Sequence, residues 1–534
     1  MLGNREIREE WDTRRLWDRY CGFLDLDMGA FMDIQEQLLM EQVSLLSKSP
    51  LGQSIFQGKA PADLRQFRSR VPLTCGKSYQ GFLVEGQEAT LPEAPVAWAH
   101  TTDDGGEFKK IPYTQRAYDR LIDHTVACAV LAAASRRGDY SLPKQPRTLF
   151  HIPPPPYLTA LVAQGLYDRG LFSPVIPLDK GNELDFAEKI RFGFDAALNS
   201  GVDVIGSKSS ILVRMGEGFA EASGRQKHLP ANAWRPSVAL RLLRAVVRSK
   251  LQHRRILPKD LWPTKAILCW GTDTELYRER IAEYWGHEPY EFFASTEMGI
   301  IAMQSWRKKA MTFVPDSAFL EFIPEDQWLE SRRNPAFIPQ TLLINQVRPG
   351  QTYELVITSF HGMPFLRYRV GFLVRVEAAE DREAGISLPQ VRLVDRCDSI
   401  IDVAGFTRLG ERSIIRALEA ANVRHNGWFV RKERDGEQST LHLYIETKGE
   451  LSAEEVAQAV HQGLMDTDHD YHDLNTMLGP HPIKVTLLPL GAFQHYTELR
   501  LQQGASFSEL RPPRVNPPDF QIKDLLQASL LQPA

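Results

Sequence analysis

Two arginines two positions apart, Arg367 and Arg369, restrict the fold of this chain more than any other feature, because they stand between apolar runs. Residues 352–359 (Thr-Tyr-Glu-Leu-Val-Ile-Thr-Ser) read as one strand and residues 372–377 as the next. Charges planted between buried strands are costly unless they hold an anion or pair with acids of the same protein. Gly362 supplies a tight turn ahead of them, and Gly371 lets the backbone come close to a ligand. A second polar stretch, residues 394–406, carries Arg396 and Asp398 in a tight connection before a new domain.

A chain of 534 residues exceeds what one core organises, so two or more domains are expected. A net charge of −4 gives no bulk attraction to nucleic acid or to an anionic membrane, and neither is expected as a partner. No run approaches the ~20 apolar residues that span a bilayer. Residues 1–17 are charged throughout and lack the apolar segment of a signal peptide. Five cysteines without CxxC spacing suit a reducing compartment, so a cytoplasmic location is expected.

Residues 1–70 read as helices wrapping a core, with Trp17, Tyr20 and Leu24, then Phe31, Ile34 and Leu38, at helical spacing. A short apolar run at 96–99 opens into a polar loop, and an amphipathic helix follows from Thr114. Strand, Gly loop and lysine make a phosphate cradle: Thr101, Thr102, Gly105 and Gly106 offer hydroxyls and N–H groups, and Lys109 a point charge. Asp103 and Asp104 would repel a triphosphate unless a cation bridges them. The competing reading is an acidic glycine turn.

From Arg147 the pattern is α/β, with strands at 149–152, 202–205 and 266–270 and helices between them. Pro153 to Pro156 form a rigid corner. Residues 241–255 form a basic helix, read as a solvated face. The strand 266–270 empties into Gly271 and Thr272, and after a helix ending at Gly286 comes Tyr290-Glu291-Phe292-Phe293-Ala294-Ser295-Thr296-Glu297. An aromatic wall, hydroxyls and one acid at a strand end suit a base, a phosphate and a hard cation; alone, Ser-Thr-Glu also reads as a helix cap. Beyond residue 403 the pattern is α+β, with a capping box at Ser452 and Glu455 and a terminal helix or tail after Pro517. The Asp/His-rich residues 466–473 resemble a metal cluster by composition but read better as a solvated acidic loop.

Arg367-Tyr368-Arg369-Val370-Gly371 followed by Asp395-Arg396-x-Asp398-x-Ile400 resembles the hinge region of the adenylate-forming superfamily of acyl-CoA synthetases, adenylation domains and luciferases. Within it the chain is most similar to the auxin-responsive acyl-acid amido synthetases and their bacterial relatives, with the phenylacetate-CoA ligase branch next. The resemblance implies an α/β fold: a large N-terminal adenylate-forming domain of αβαβα-type sheets plus a β-barrel (1–395), a hinge (396–402) and a small α+β C-terminal domain (403–534). It implies ATP and Mg²⁺ as cofactors. Phe293 and Ala294 would line the adenine, Thr296 would touch the α-phosphate and Glu297 would bind Mg²⁺, with Ser295 among the nucleotide-binding residues. Thr101, Thr102, Gly105, Gly106 and Lys109 would meet the phosphate tail, Gly271 and Thr272 the nucleotide, and Arg396 the ribose or phosphates. Arg511 stands where relatives carry lysine, and Phe372 where they carry an aspartate for the ribose hydroxyls.

The implied reaction is adenylation of a small-molecule carboxylic acid, then acyl transfer to an amine. One alternative ends in a thioester with CoA or a carrier protein. Another is a family member whose ATP site has degenerated and which handles acyl ligands without ATP.

Overall fold

The computed structural model describes residues 13–102, 108–150, 156–177, 186–225, 235–270, 274–334, 336–397, 400–403, 407–435, 438–478, 483–503 and 514–530. Two compact units divide the chain. The larger takes residues up to His100, Lys110–Val370 and Val374–Val394; the smaller takes Thr101–Lys109, Gly371–Leu373 and everything from Asp395 onward.

The spine of the larger unit is a twelve-stranded sheet. Strands Arg147–Phe150, Val204–Lys208, Ala266–Trp270 and Tyr290–Ser295 lie side by side and parallel. Their continuous apolar sequences (Ala-Ile-Leu-Cys-Trp in the third) suit strands covered on both faces. A tight hairpin then reverses the chain into Gly299–Gln304, and the pairings that follow it are antiparallel. Gly299 makes that reversal in a left-handed backbone conformation (φ +67°). Helices pack on the parallel strands through Leu212, Ile281 and Trp285, whose indole donates to the Leu212 carbonyl at 3.0 Å.

Four local expectations are corrected, three of them in the larger unit. Helix Met28–Leu46 buries Phe31, Gln35, Leu39 and Gln42, not Ile34 and Leu38. The glutamines are accepted because their amides are satisfied: Gln35 donates to Ala318 O (2.8 Å) and accepts from Leu320 N (2.9 Å), and Gln42 bonds Met363 O and Gly362 N. A second strand, Phe108–Tyr113, paired with Ala97–Thr102, precedes helix Gln115–Ala132. The basic helix runs Pro236–Leu251, leaving Arg254 and Arg255 beyond its end.

The smaller unit holds a three-stranded sheet of His425–Asp435, Gln438–Thr447 and Ile483–Leu487, the first pair antiparallel and the second parallel. Helices Ala492–Gln502 and Asp519–Ser529 bury Tyr496, Ile522 and Leu525 against Phe429 and Tyr444. The Ser452–Glu455 capping box opens helix Ala453–Thr467. Residues His469–Leu478 form a helix where a loop was expected. Among the described residues no helix is long and apolar enough to cross a membrane.

Candidate active site

The arginine pair resolves first. Arg367, buried with φ +42°, donates Nε to Glu321 Oε2 and Nη2 to Glu321 Oε1, both at 2.9 Å. Nη1 reaches the carbonyls of Arg68 (2.8 Å) and Val71 (2.7 Å), and Nη2 also meets Thr341 Oγ at 3.1 Å. All five N–H groups of a guanidinium are thereby engaged. Arg369 forms its own bidentate pair with Glu354, at 2.9 and 2.6 Å. Of the two outcomes open in the sequence, pairing with acids of the chain is the one adopted. These arginines brace strand Tyr368–Ala378 against its neighbours, and Arg367 has no N–H left for a ligand anion.

The aromatic-hydroxyl-acid motif sits at the carboxyl end of a parallel strand, where α/β sheets place their ligands. Phe293 is buried in that strand; Thr296 and Glu297 form the turn of the hairpin to Gly299–Gln304. The helix-cap alternative is excluded, since no helix follows. Two groups from distant sequence fix this turn. Tyr113 donates to the Thr296 carbonyl at 2.7 Å, and Ser359 Oγ donates to the Glu297 carbonyl at 2.9 Å. Burial and the nearby Glu297 carboxylate push the Tyr113 hydroxyl far above its ordinary range, so it remains a donor.

With its carbonyl anchored, Glu297 keeps its half-buried carboxylate unpaired among the described residues. The Ser295 hydroxyl is buried and likewise without a partner among them. An unpaired carboxylate beside an unsatisfied hydroxyl suits a cation and an oxyanion together. No cluster of three or more His, Cys, Asp or Glu gathers among the described residues. A cation at Glu297 would therefore take its other ligands from phosphate and water, as magnesium does.

Sequence reasoning missed Tyr113 and Ser359, which lie 183 and 62 residues from the groups they hold and carry no local signal. It also missed an aromatic cluster on the same sheet. Gly206 pairs with Phe150 across the parallel strands, and a Cβ there would stand 2.5 Å from the Phe150 ring and 3.6 Å from Trp270. Trp270 in turn meets Phe292, ring centres 6.0 Å apart. All three rings are half-buried.

In the smaller unit, Arg396 lies over the Phe372 ring, 5.1 Å from its centre, and Cys397 N donates to Gly371 O at 2.8 Å. Beside them Asp395 is buried. Loss of hydration pushes its carboxyl up to about 7, helped by Glu411 and opposed by the Arg396 N–H (2.8 Å) and by Arg412. A Cβ on Gly410 would come into contact with that carboxylate, so glycine there admits it to the start of helix Glu411–Ala420. Thr101, Thr102 and Lys109 lie in the strands of the hairpin Ala97–Thr102 and Phe108–Tyr113. Gly105, Gly106, Gly271, Thr272 and Arg511, with Asp103, Asp104, Asp398 and the corner at 153–155, lie outside the described residues.

The GH3 family central domain matches residues 311–396, which contain Arg367, Arg369, Glu321 and Glu354. The jasmonoyl-L-amino acid synthetase GH3.5 of Oryza sativa subsp. japonica is 24% identical over 302 residues, 51% of this chain and 49% of that protein. The indole-3-acetic acid-amido synthetase GH3.17 of Arabidopsis thaliana is 28% identical over 126 residues, 21% of this chain and 19% of that protein. The chain thus spans at most about half the length of the curated relatives it matches. In fold the likeness is longer. The acyl acid amido synthetase AtGH3.15 in complex with 2,4-DB superposes with a TM-score of 0.66 at 15% identity, covering 99% of this chain and 98% of that one. A 2-hydroxyisobutyryl-CoA ligase follows at 0.57, with 14% identity and 91% of each chain covered. Residues 311–396 therefore match the GH3 family central domain, and the chain shares its fold with an acyl acid amido synthetase and a 2-hydroxyisobutyryl-CoA ligase.

Proposed function

We propose that the protein is an ATP-dependent ligase that activates a small carboxylic acid as its acyl-adenylate and passes the acyl group to the amine of an amino acid. The observation that carries this reading is the hairpin turn at Thr296–Glu297. Its backbone is tied down by Tyr113 and Ser359, and among the described residues its carboxylate and the neighbouring Ser295 hydroxyl have no partner. The chemistry needs little acid–base work. The acid's oxygen attacks the α-phosphorus, pyrophosphate leaves, and the charge gathered on the phosphate must be stabilised.

Glu297 would hold Mg²⁺ against the phosphates, and Thr296 and Ser295 would position the α-phosphate. Phe293 and Ala294 would wall the adenine, and Thr101, Thr102 and Lys109 would meet the phosphate tail. Mg²⁺ supplies charge neutralisation when bound. The residues 396–402 would act as the hinge between a domain of 1–395 and one of 403–534, with Arg396 meeting the nucleotide in one of its positions. Arg511 would take the place held by lysine in relatives. The half-buried rings of Phe150, Trp270 and Phe292 would offer the acid an apolar, flat-walled seat. Five free cysteines support a reducing, cytoplasmic setting.

The test is pyrophosphate release from ATP and Mg²⁺ with a panel of aliphatic and aromatic acids, followed by mass spectrometry of products with amino acids, CoA and a carrier-protein thiol as acceptors. Amide products support the reading, and thioester products would replace the acceptor while keeping the first half-reaction. Absence of both ATP binding and pyrophosphate release would remove it.

A further inference from the structure

Helix Pro236–Leu251 reads in the sequence as a solvated basic face, yet its exposed side is not simply charged. Val238 and Ala245 are fully buried and Leu242 packs on the core beside them. On the other side Leu240, Leu243, Val247 and Leu251 are 47%, 61%, 48% and 76% exposed. At ~100° per residue these positions fall within about 80° of one another, opposite Val238 and Ala245. Single exposed leucines are ordinary on a surface, whereas an aligned stripe marks contact with something else. Its edges are basic: Arg244 and Arg248 on one side, Lys250 on the other and Arg255 past the helix end, all exposed. None of the four pairs with an acid among the described residues, and residues 235–255 contain no Asp or Glu. Arg254, by contrast, is committed to Asp260.

We propose that this face docks an acidic amphipathic helix presented by another protein. The stripe advances by three, four and four residues, the spacing of a seam between helices. The basic rim calls for acids on the partner. A second copy of this chain does not fit, because a two-fold contact would set the rim against itself. A lipid surface fits poorly, because the stripe holds only Leu and Val, without the Trp or Phe common on interfacial helices. The proposal is independent of the acid-activating site.

The full-length protein is titrated by fluorescence anisotropy with two designed helical peptides that share one leucine seam, one flanked by Glu and one by Lys. Phosphatidylserine vesicles, and sedimentation of the protein alone, are read alongside. The Glu-flanked peptide is expected to bind, and to weaken as salt rises. The double variant Leu243→Ser/Val247→Ser should weaken it about tenfold or more at unchanged Tm, since both side chains are exposed. Arg244→Glu with Arg248→Glu should shift preference to the Lys-flanked peptide. Any of four results would overturn the proposal: no binding of either peptide, equal binding of both, indifference to the serine variants, or vesicle binding or dimerisation that those variants abolish.

Discussion

The Arg396 guanidinium rests 5.1 Å from the centre of the Phe372 ring. An arginine over an aromatic face keeps its charge while its planar group is held by stacking. The two residues come from separate strands, Tyr368–Ala378 and Gln390–Arg396, and the Cys397 to Gly371 backbone bond at 2.8 Å holds them in register. A side chain expected to meet a nucleotide is thus oriented by the residue standing where the resemblance implies a ribose-binding carboxylate.

Replacing that ring restores the acceptor. Phe372→Asp should tighten ATP binding by about tenfold to a hundredfold, the worth of one charge-assisted hydrogen bond to ribose. Titration calorimetry with ATP and with 2′,3′-dideoxy-ATP decides it: equal gains for both nucleotides would show that the carboxylate is not meeting the ribose.

The Arg367–Glu321 pair is structural and should behave as one. Arg367→Met removes the bidentate partner of the Glu321 carboxylate, 0% exposed, leaving it Thr341 Oγ at 2.6 Å and Arg68 Nε at 3.6 Å, and should cost about 3 kcal/mol in urea unfolding. Adding Glu321→Met should recover most of that loss. A single variant as stable as the parent would contradict the buried pairing, and an intact ATP affinity in the double variant is expected because no guanidinium N–H is left for a ligand.

Asp395 gives the smaller unit a pH signature. Its folded pKa of about 7 lies above the usual carboxylate range, so the folded state takes up a proton that the unfolded chain releases. Its contribution to stability is therefore greatest in acid and falls as pH rises from about 4 to about 7, after which it is constant. Asp395→Asn should flatten that slope. The check is urea midpoints of parent and variant across this window, and parallel curves would refute the assignment.

Glu297→Gln keeps the backbone carbonyl that Ser359 holds and removes only the carboxylate charge. Folding should be unchanged, while the Mg²⁺-dependent pyrophosphate release should fall by about a hundredfold or more. Recovery of rate on substituting Mn²⁺ would strengthen the assignment; an unaltered rate would end it.

Gly206→Ala places a methyl group 2.5 Å from the Phe150 ring and should destabilise by about 1–3 kcal/mol while the ring shifts. If the aromatic cluster seats the acid, the KM for aromatic acids should rise more than that for ATP.

Much is legible in the sequence because the signals are local. Strands Ala266–Trp270 and Thr352–Ser359, the Ser452–Glu455 cap and the motif ending in Glu297 depend on neighbours a few residues apart, and periodicity or capping chemistry exposes them. The fate of the charges was not local. Whether Arg367 and Arg369 would grip a ligand or their own acids depended on Glu321 and Glu354, brought alongside only when the strands pair. The exposed Leu240–Leu251 stripe was hidden for the same reason: Leu242 and Leu243 are one residue apart, and only packing decides which faces the core. The sequence by itself determined the locally patterned strands and caps, the candidate acid at Glu297 and the resemblance. Tertiary structure decided which charges are spent within the fold and which remain for chemistry, because pairing and desolvation belong to partners distant along the chain.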